Sequence, residues 1–217
     1  MKNDDLHGNA PDEAGVALLL IDVINDLDFP DGEQLLGHAL PMAHRIVALK
    51  REARRLGIPV VYVNDNFGRW QSNFHAQVEH CLRDDVPGRP IVELLAPGEE
   101  DYFVLKPKHS GFFSTTLDIL LEYLKAESLI LTGIAGNICV LFTANDAYMR
   151  DFSLFVPGDC VASNTEEENR YALEQMGRVL KADTRPSTEL DLGGFARPAA
   201  RAPGGRRSGG RGTGGDG

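Results

Sequence analysis

No run of 18 or more apolar residues occurs in these 217 residues, although 42% of them are hydrophobic, so a membrane-spanning helix is not predicted. Cysteine is scarce. Cys81, Cys139 and Cys160 are an odd number without zinc-type spacing, which argues against a disulfide framework and points to a reducing compartment, the cytoplasm. The opening MKNDDLHGNAPDEAG is polar and acidic and lacks the pattern of a secretory leader. Six histidines, at 7, 38, 44, 75, 80 and 109, show no ligand-like spacing, so no metal is predicted. Positive charge is also short: 22 Lys and Arg face 32 Asp and Glu, a net of −10. Residues 193–217 hold five arginines against one aspartate, +4, which leaves −14 on residues 1–192. Neither nucleic acid nor a membrane surface suits so acidic a body as a partner, whereas a cationic small molecule does.

The length and apolar content fit one α/β domain, predicted over residues 15–192 between a flexible N-terminus, 1–14, and a disordered Gly/Arg-rich tail, 193–217. GVALLLID reads as a strand buried on both faces, ending on Asp22. A helix is predicted to open near Pro41 and to keep Met42, Ile46, Leu49 and Ala53 on one face until Gly57. IPVVYVN is a second strand, and residues 65–97 are irregular apart from a helix near Phe74–Leu82 and a turn at PGRP. DYFVLK is a third strand ending at Lys106, followed by a helix with hydroxyl caps at Ser114 or Thr115. LILTGIAGNICVLFTANDAYMRDF gives a fourth strand, a tight turn and a helix; SLFVP is a fifth strand, TEEENRYALEQMGRVLKA a helix, and ADTRPSTEL a short sixth strand. Alternating strands and helices predict right-handed crossovers and a three-layer α/β/α domain around a six-stranded parallel sheet.

In such sheets ligands gather beyond the carboxyl ends of the strands. There the sequence places Asp22, Asn64 with Asp65, Lys106 and Cys139. An acid, a cation and a thiol on one rim outline a reaction centre, and a cysteine in the first turn of a helix is predicted to ionise more readily than usual. Lys108 is a rival to Lys106, because side chains two apart on a strand share a face. Asn64 could bind a ligand or form a turn. Trp70, Phe112 and Phe113 are candidate pocket walls or core residues. Cys81 and Cys160 are assigned to packing.

Three motifs make residues 16 to about 192 resemble the isochorismatase-like cysteine hydrolases, the superfamily of nicotinamidases, N-carbamoylsarcosine amidases and ureidoacrylate amidohydrolases. They are LLLIDVINDL, with Asp22; VLKPKHSGFFSTTLDILL, with Lys106, Ser110 and Phe112; and TGIAGNICVLFTANDAYMRDF, with Cys139. The resemblance implies a Rossmann-like isochorismatase fold and the catalytic set Asp22, Lys106 and Cys139, favouring Lys106 over Lys108. It also implies a cis peptide between Ile134 and Ala135 and an oxyanion hole from the N–H groups of Ala135 and Cys139. Asp22 is then expected to take the thiol proton, pass it to the departing amine and later activate water, through a thioester.

Departures from the family narrow the reading. The nicotinamidase branch binds metal through an aspartate, a histidine two residues on and a further histidine, but here Asp65 is followed by Asn66 and Phe67. No metal and no cofactor are therefore expected. Retaining Cys139 points towards cleavage of an amide, carbamoyl or cyclic amide bond of a small molecule, including a cationic lactam of the streptothricin type. Two alternatives stay open: vinyl-ether hydrolysis of the isochorismate type, and an inactive domain that binds a partner. A dimer or tetramer is implied by the resemblance alone.

Overall fold

The structure is a computed structural model that describes residues 15–67, 73–83 and 85–195. Six parallel strands form the sheet: β1 Gly15–Ile21, β2 Val60–Asp65, β3 Tyr102–Lys106, β4 Ala126–Ile134, β5 Ser153–Phe155 and β6 Val161–Ala162. The order is β3-β2-β1-β4-β5, with β6 beside the carboxyl half of β4. The chain builds outward from β1 to β3 and then returns to the other side of β1. The switch in direction therefore lies between β1 and β4, where such sheets bind ligands.

Alternation along the strands divides the core in two. Val16, Leu18 and Leu20 of β1, with Val60 and Tyr62 of β2, meet α1 Gly32–Arg55, α2 Phe74–Arg83 and α3 Arg89–Leu94. Ala17, Leu19 and Ile21, with Val61 and Val63, meet α4 Leu117–Tyr123, α5 Leu141–Tyr148 and α6 Glu166–Val179. The α6 start carries a capping box between Thr165 and Glu168, which satisfies two of the free N–H groups there. On the first face a buried ion pair, Lys50 Nζ to Asp101 Oδ2 at 3.0 Å, also reaches the Tyr62 hydroxyl and so ties α1 to β2 and to the start of β3.

Helix α1 does not open at Pro41 as the sequence suggests; it starts nine residues earlier and runs through the proline. Leu35 and Ala39 extend the buried stripe of Met42, Ala43, Ile46 and Leu49 upstream, and their burial outweighs the break that proline normally imposes. Pro41 lies on the exposed side, where it still leaves the Gly37 carbonyl without its helical donor. Pro41→Ala should therefore raise stability by about 1–2 kcal/mol. A urea midpoint that stays put or falls would show that packing around the ring needs the proline.

Other departures are smaller. The PGRP stretch opens α3 rather than a bare turn. The sixth strand is Val161–Ala162, and the predicted ADTRPSTEL strand supplies only a bridge between Phe155 and Asp183, since Arg185, Pro186 and Ser187 offer no apolar run to bury. Thr115, not Ser114, gives the hydroxyl at the start of α4, accepting the Leu117 N–H at 3.2 Å. The predicted tail begins too early: Leu192–Phe195 form a short helix, α7, and Phe195 packs on Phe155 at 4.6 Å between ring centroids. The flexible N-terminus at 1–14 and the tail from 196 lie outside the described residues.

Candidate active site

Asp22 follows the last residue of β1 in a left-handed conformation, φ 52°, which aspartate tolerates better than most side chains. Its N–H donates to the Val63 carbonyl at 3.0 Å, and its Oδ1 accepts the Asp65 N–H at 2.7 Å, so both ends of the residue are fixed to β2. Lys106 closes β3, two strands from β1 and about 10 Å away; only a long side chain bridges that gap. Its stem runs on the same face as Val104, fully buried, and its Nζ lies 2.8 Å from Asp22 Oδ2. Lys108 is exposed, so burial separates the two lysines.

Cys139 sits in a π-helical turn, Gly136–Val140, between the end of β4 and the start of α5. The peptide bond between Ile134 and Ala135 is cis. Gly133, φ 112°, allows β4 to run hard against β1: a Cβ there would lie 2.0 Å from the Ile21 carbonyl oxygen. That close approach sets Cys139 beside Asp22. Sγ is 3.5 Å from Lys106 Nζ, which in turn pairs with Asp22 Oδ2, so the sulfur feels the Asp22 charge directly.

The loop after β3 is pinned to the same helix. Ser110 Oγ donates to Asp146 Oδ2, the Gly111 N–H donates to Thr143 Oγ1 at 3.0 Å, and Thr143 Oγ1 in turn donates to the Cys139 carbonyl at 2.7 Å. A Cβ at Gly111 would come within 2.7 Å of Val63 Cγ1, which explains a glycine after the serine. These bonds fix the spacing between Lys106, at the end of β3, and Cys139, after β4.

The electrostatics follow from this burial. Loss of water pushes the Asp22 carboxyl above its usual value, and Lys106, Cys139 and the Asp65 N–H pull it back only in part. Burial works against the Lys106 ammonium, but Asp22, Cys139 and Asp65 together hold it above the ordinary lysine value. The Cys139 thiol is pushed up to about 12 by burial and by Asp22, with Lys106 opposing. The sequence predicts the reverse, a thiol acidified by a helix start. Desolvation of the thiol, with the Asp22 carboxylate beside it, outweighs the helix-end effect, which fades within one turn and is modest at this scale. Cys139 is therefore held as the thiol and Lys106 as the ammonium.

Asp65 is a further member. Its Oδ2 is 3.6 Å from Lys106 Nζ, so one ammonium serves two carboxylates, and its Oδ1 accepts the Phe67 N–H at 2.6 Å. The sequence leaves Asp65 open between a turn former and a ligand residue; its ladder position opposite Lys106 is visible only once β2 and β3 are paired. His109, unassigned by the sequence, places Nδ1 3.9 Å from Cys139 Sγ.

The suggested substrate residues fare differently. Asn64 is fully buried and clamps the loop after β1, accepting the Ile24 N–H at 3.3 Å and donating to its carbonyl at 2.6 Å; it braces the loop rather than facing a ligand. Phe112 is core, packed near Phe152 and under the Arg150 guanidinium. Phe113 is exposed, and Trp70 lies outside the described residues. Ala135 is half-buried one residue before the turn that holds Cys139. Cys81 and Cys160 are buried. Among the described residues no three His, Cys, Asp or Glu side chains are grouped to hold a metal.

Comparison with known proteins places this architecture. The family model for the isochorismatase domain matches residues 16–184. The chain is 44% identical over 171 residues to the isochorismatase family protein YaaI of Bacillus subtilis (strain 168), covering 79% of this chain and 93% of that one. The solved structure of an isochorismatase family protein from Desulfovibrio vulgaris matches with a TM-score of 0.67 at 25% identity, over 85% of this chain and 100% of that chain. N-carbamoylsarcosine amidase from Thermoplasma acidophilum matches with a TM-score of 0.62 at 26% identity, over 81% and 98% of the two chains.

Proposed function

The chain belongs to the isochorismatase family of hydrolases, and from that premise we propose that it is a cysteine hydrolase cleaving the C–N bond of a small amide through a thioester on Cys139. The observation that carries this reading is the contact of one sulfur with a buried carboxylate and a buried ammonium, Sγ to Lys106 at 3.5 Å and Lys106 to Asp22 at 2.8 Å. A thiol held near 12 is a weak nucleophile at neutrality, so a base must remove its proton as it attacks. Asp22 does this. Its desolvation makes it a stronger base than an ordinary carboxylate, and this narrows the gap to the thiol from the carboxylate side.

Lys106 stays protonated throughout and keeps Asp22 ionised at rest. As Sγ adds to the carbonyl, the N–H groups of Ala135 and Cys139 receive the oxyanion; one such donor is worth about 3–4 kcal/mol. The amine departs, the acyl group remains on sulfur, and water releases the acid. Asp22 and Asp65 against Lys106 leave the site negative, and Asp65 is partly exposed. A substrate carrying an ammonium or several N–H donors near its amide suits that charge. The similarity to N-carbamoylsarcosine amidase supports amide chemistry of this class.

A panel of linear amides, ureides and lactams, followed by release of ammonia or amine, identifies the substrate. With that substrate, Asp22→Asn should form no thioester adduct by intact mass, since the amide cannot take the thiol proton. An adduct appearing at the parent rate would remove Asp22 from the role of base.

A further inference from the structure

Among the described residues, the polar side chains that reach Cys139 Sγ are Asp22, Lys106 and His109. Two of them lie beneath the sulfur, out of solvent: Asp22 is 5% exposed and Lys106 fully buried. Both Asp22 oxygens are already engaged, Oδ1 by the Asp65 N–H and Oδ2 by Lys106. The third is different. His109 is exposed, and its Nδ1 stands 3.9 Å from Sγ. Its ring rests against Phe142 of α5, 5.4 Å between centroids. The next residue, Ser110, is bonded to Asp146 of the same helix, so the imidazole is held over the sulfur by one rigid element.

We infer that His109 is a catalytic residue that performs the proton transfers on the substrate side, while Asp22 exchanges a proton only with the sulfur. This rests on the cysteine-hydrolase reading above and divides between two groups what the resemblance assigns to Asp22 alone. In acylation the S–H proton goes to Asp22, the S–C bond forms, and the C–N bond breaks as His109, entering as imidazolium, gives its Nδ1 proton to the departing nitrogen. In deacylation water adds to the thioester carbonyl and its proton goes to His109. The C–S bond then breaks, and the thiolate takes back the proton held by Asp22. The sum is amide plus water to acid plus amine, with thiol, carboxylate and imidazolium restored. Imidazole fits the task because it is the side chain that most often serves as a general acid and base, with one ring nitrogen able to give a proton and to take one back. Asp22, 5% exposed and anchored to the Asp65 N–H and to Lys106, is turned towards the interior, whereas His109 stands on the exposed side of the sulfur.

The test uses p-nitrophenyl acetate, whose leaving group departs as an anion and needs no proton, so only deacylation calls on His109. His109→Gln should release the first equivalent of nitrophenolate at nearly the parent rate and then turn over about a hundredfold more slowly. Acetyl should accumulate on Cys139 in peptide mass spectra, and the melting temperature should not change, because the side chain is exposed. Unaltered turnover, or a first equivalent that slows in step with turnover, overturns the assignment. Two controls separate this from failure of the underlying reading. Cys139→Ala and Asp22→Asn should both lose the rapid first equivalent. If neither the parent nor His109→Gln acquires an acetyl group on Cys139, the thiol chemistry falls and the role of His109 with it.

Discussion

Cys139→Ala is expected to lower turnover of the amide substrate by at least about a thousandfold while leaving the protein folded. The sulfur is the atom that forms the thioester, and no described side chain beside it replaces it: Lys106 is held protonated, and Asp22 is closed in beneath. The structural cost is small. The residue is half-buried in a turn fixed by other bonds, with the Val140 N–H on the Ala135 carbonyl and Thr143 on the Cys139 carbonyl. Stability against alkali should even become flatter. A thiol raised from 9.0 to about 12 contributes stability that is complete below 9.0 and is lost as pH rises through about 12. The variant lacks that share of the loss, although Cys160, also near 12, keeps its own. Turnover, melting temperature and urea midpoints across that alkaline range check the three parts. Undiminished turnover would mean that the amide is cleaved without a thioester on Cys139 and would end the cysteine reading.

What the sequence could disclose follows from how each residue is held. Asp22, Lys106 and Cys139 end or follow strands, and a parallel sheet carries strand ends to one rim whatever the loops do; their meeting was legible for that reason. The six-stranded three-layer fold and the two-sided burial of β1 were legible from uninterrupted apolar runs. Pro41 misled because a local rule lost to the tertiary burial of Leu35 and Ala39. The sixth strand was misplaced because two residues, Val161 and Ala162, carry too little pattern to be seen. His109 was invisible for a related reason. It occupies an exposed loop, and its approach to Cys139 depends on the Ser110–Asp146 and Gly111–Thr143 bonds, which join segments about 30 residues apart. Periodicity carries no trace of such pairings. The thiol's direction of shift was missed because it is decided first by the burial of Cys139 itself and then by the nearby Asp22, both properties of three dimensions.

Lys106→Met should be the most destabilising single change at the site, by about 3–5 kcal/mol near neutral pH, and should also abolish turnover. Methionine replaces the packed stem but leaves the Asp22 carboxylate, 5% exposed, without the ammonium 2.8 Å away. The cost then depends on pH in a direction that can be worked out. Asp22 already lies above 3.8 in the folded protein because burial outweighs Lys106, and losing Lys106 drives it higher. A carboxyl raised in the folded state adds stability that is complete below 3.8 and is lost as pH rises through the folded value. The deficit of the variant should therefore be small near pH 4 and should grow towards neutrality, measured as the difference in urea midpoints from the parent. Adding Asp22→Asn to Lys106→Met removes the stranded charge and should recover most of the loss at neutral pH, a coupling of the sign expected for a buried pair. A deficit equal at both pH values, or one that Asp22→Asn deepens, would mean that the lysine matters through its stem packed beside Val104, and that the ion pair neither supports the fold nor keeps Asp22 ionised for the thiol.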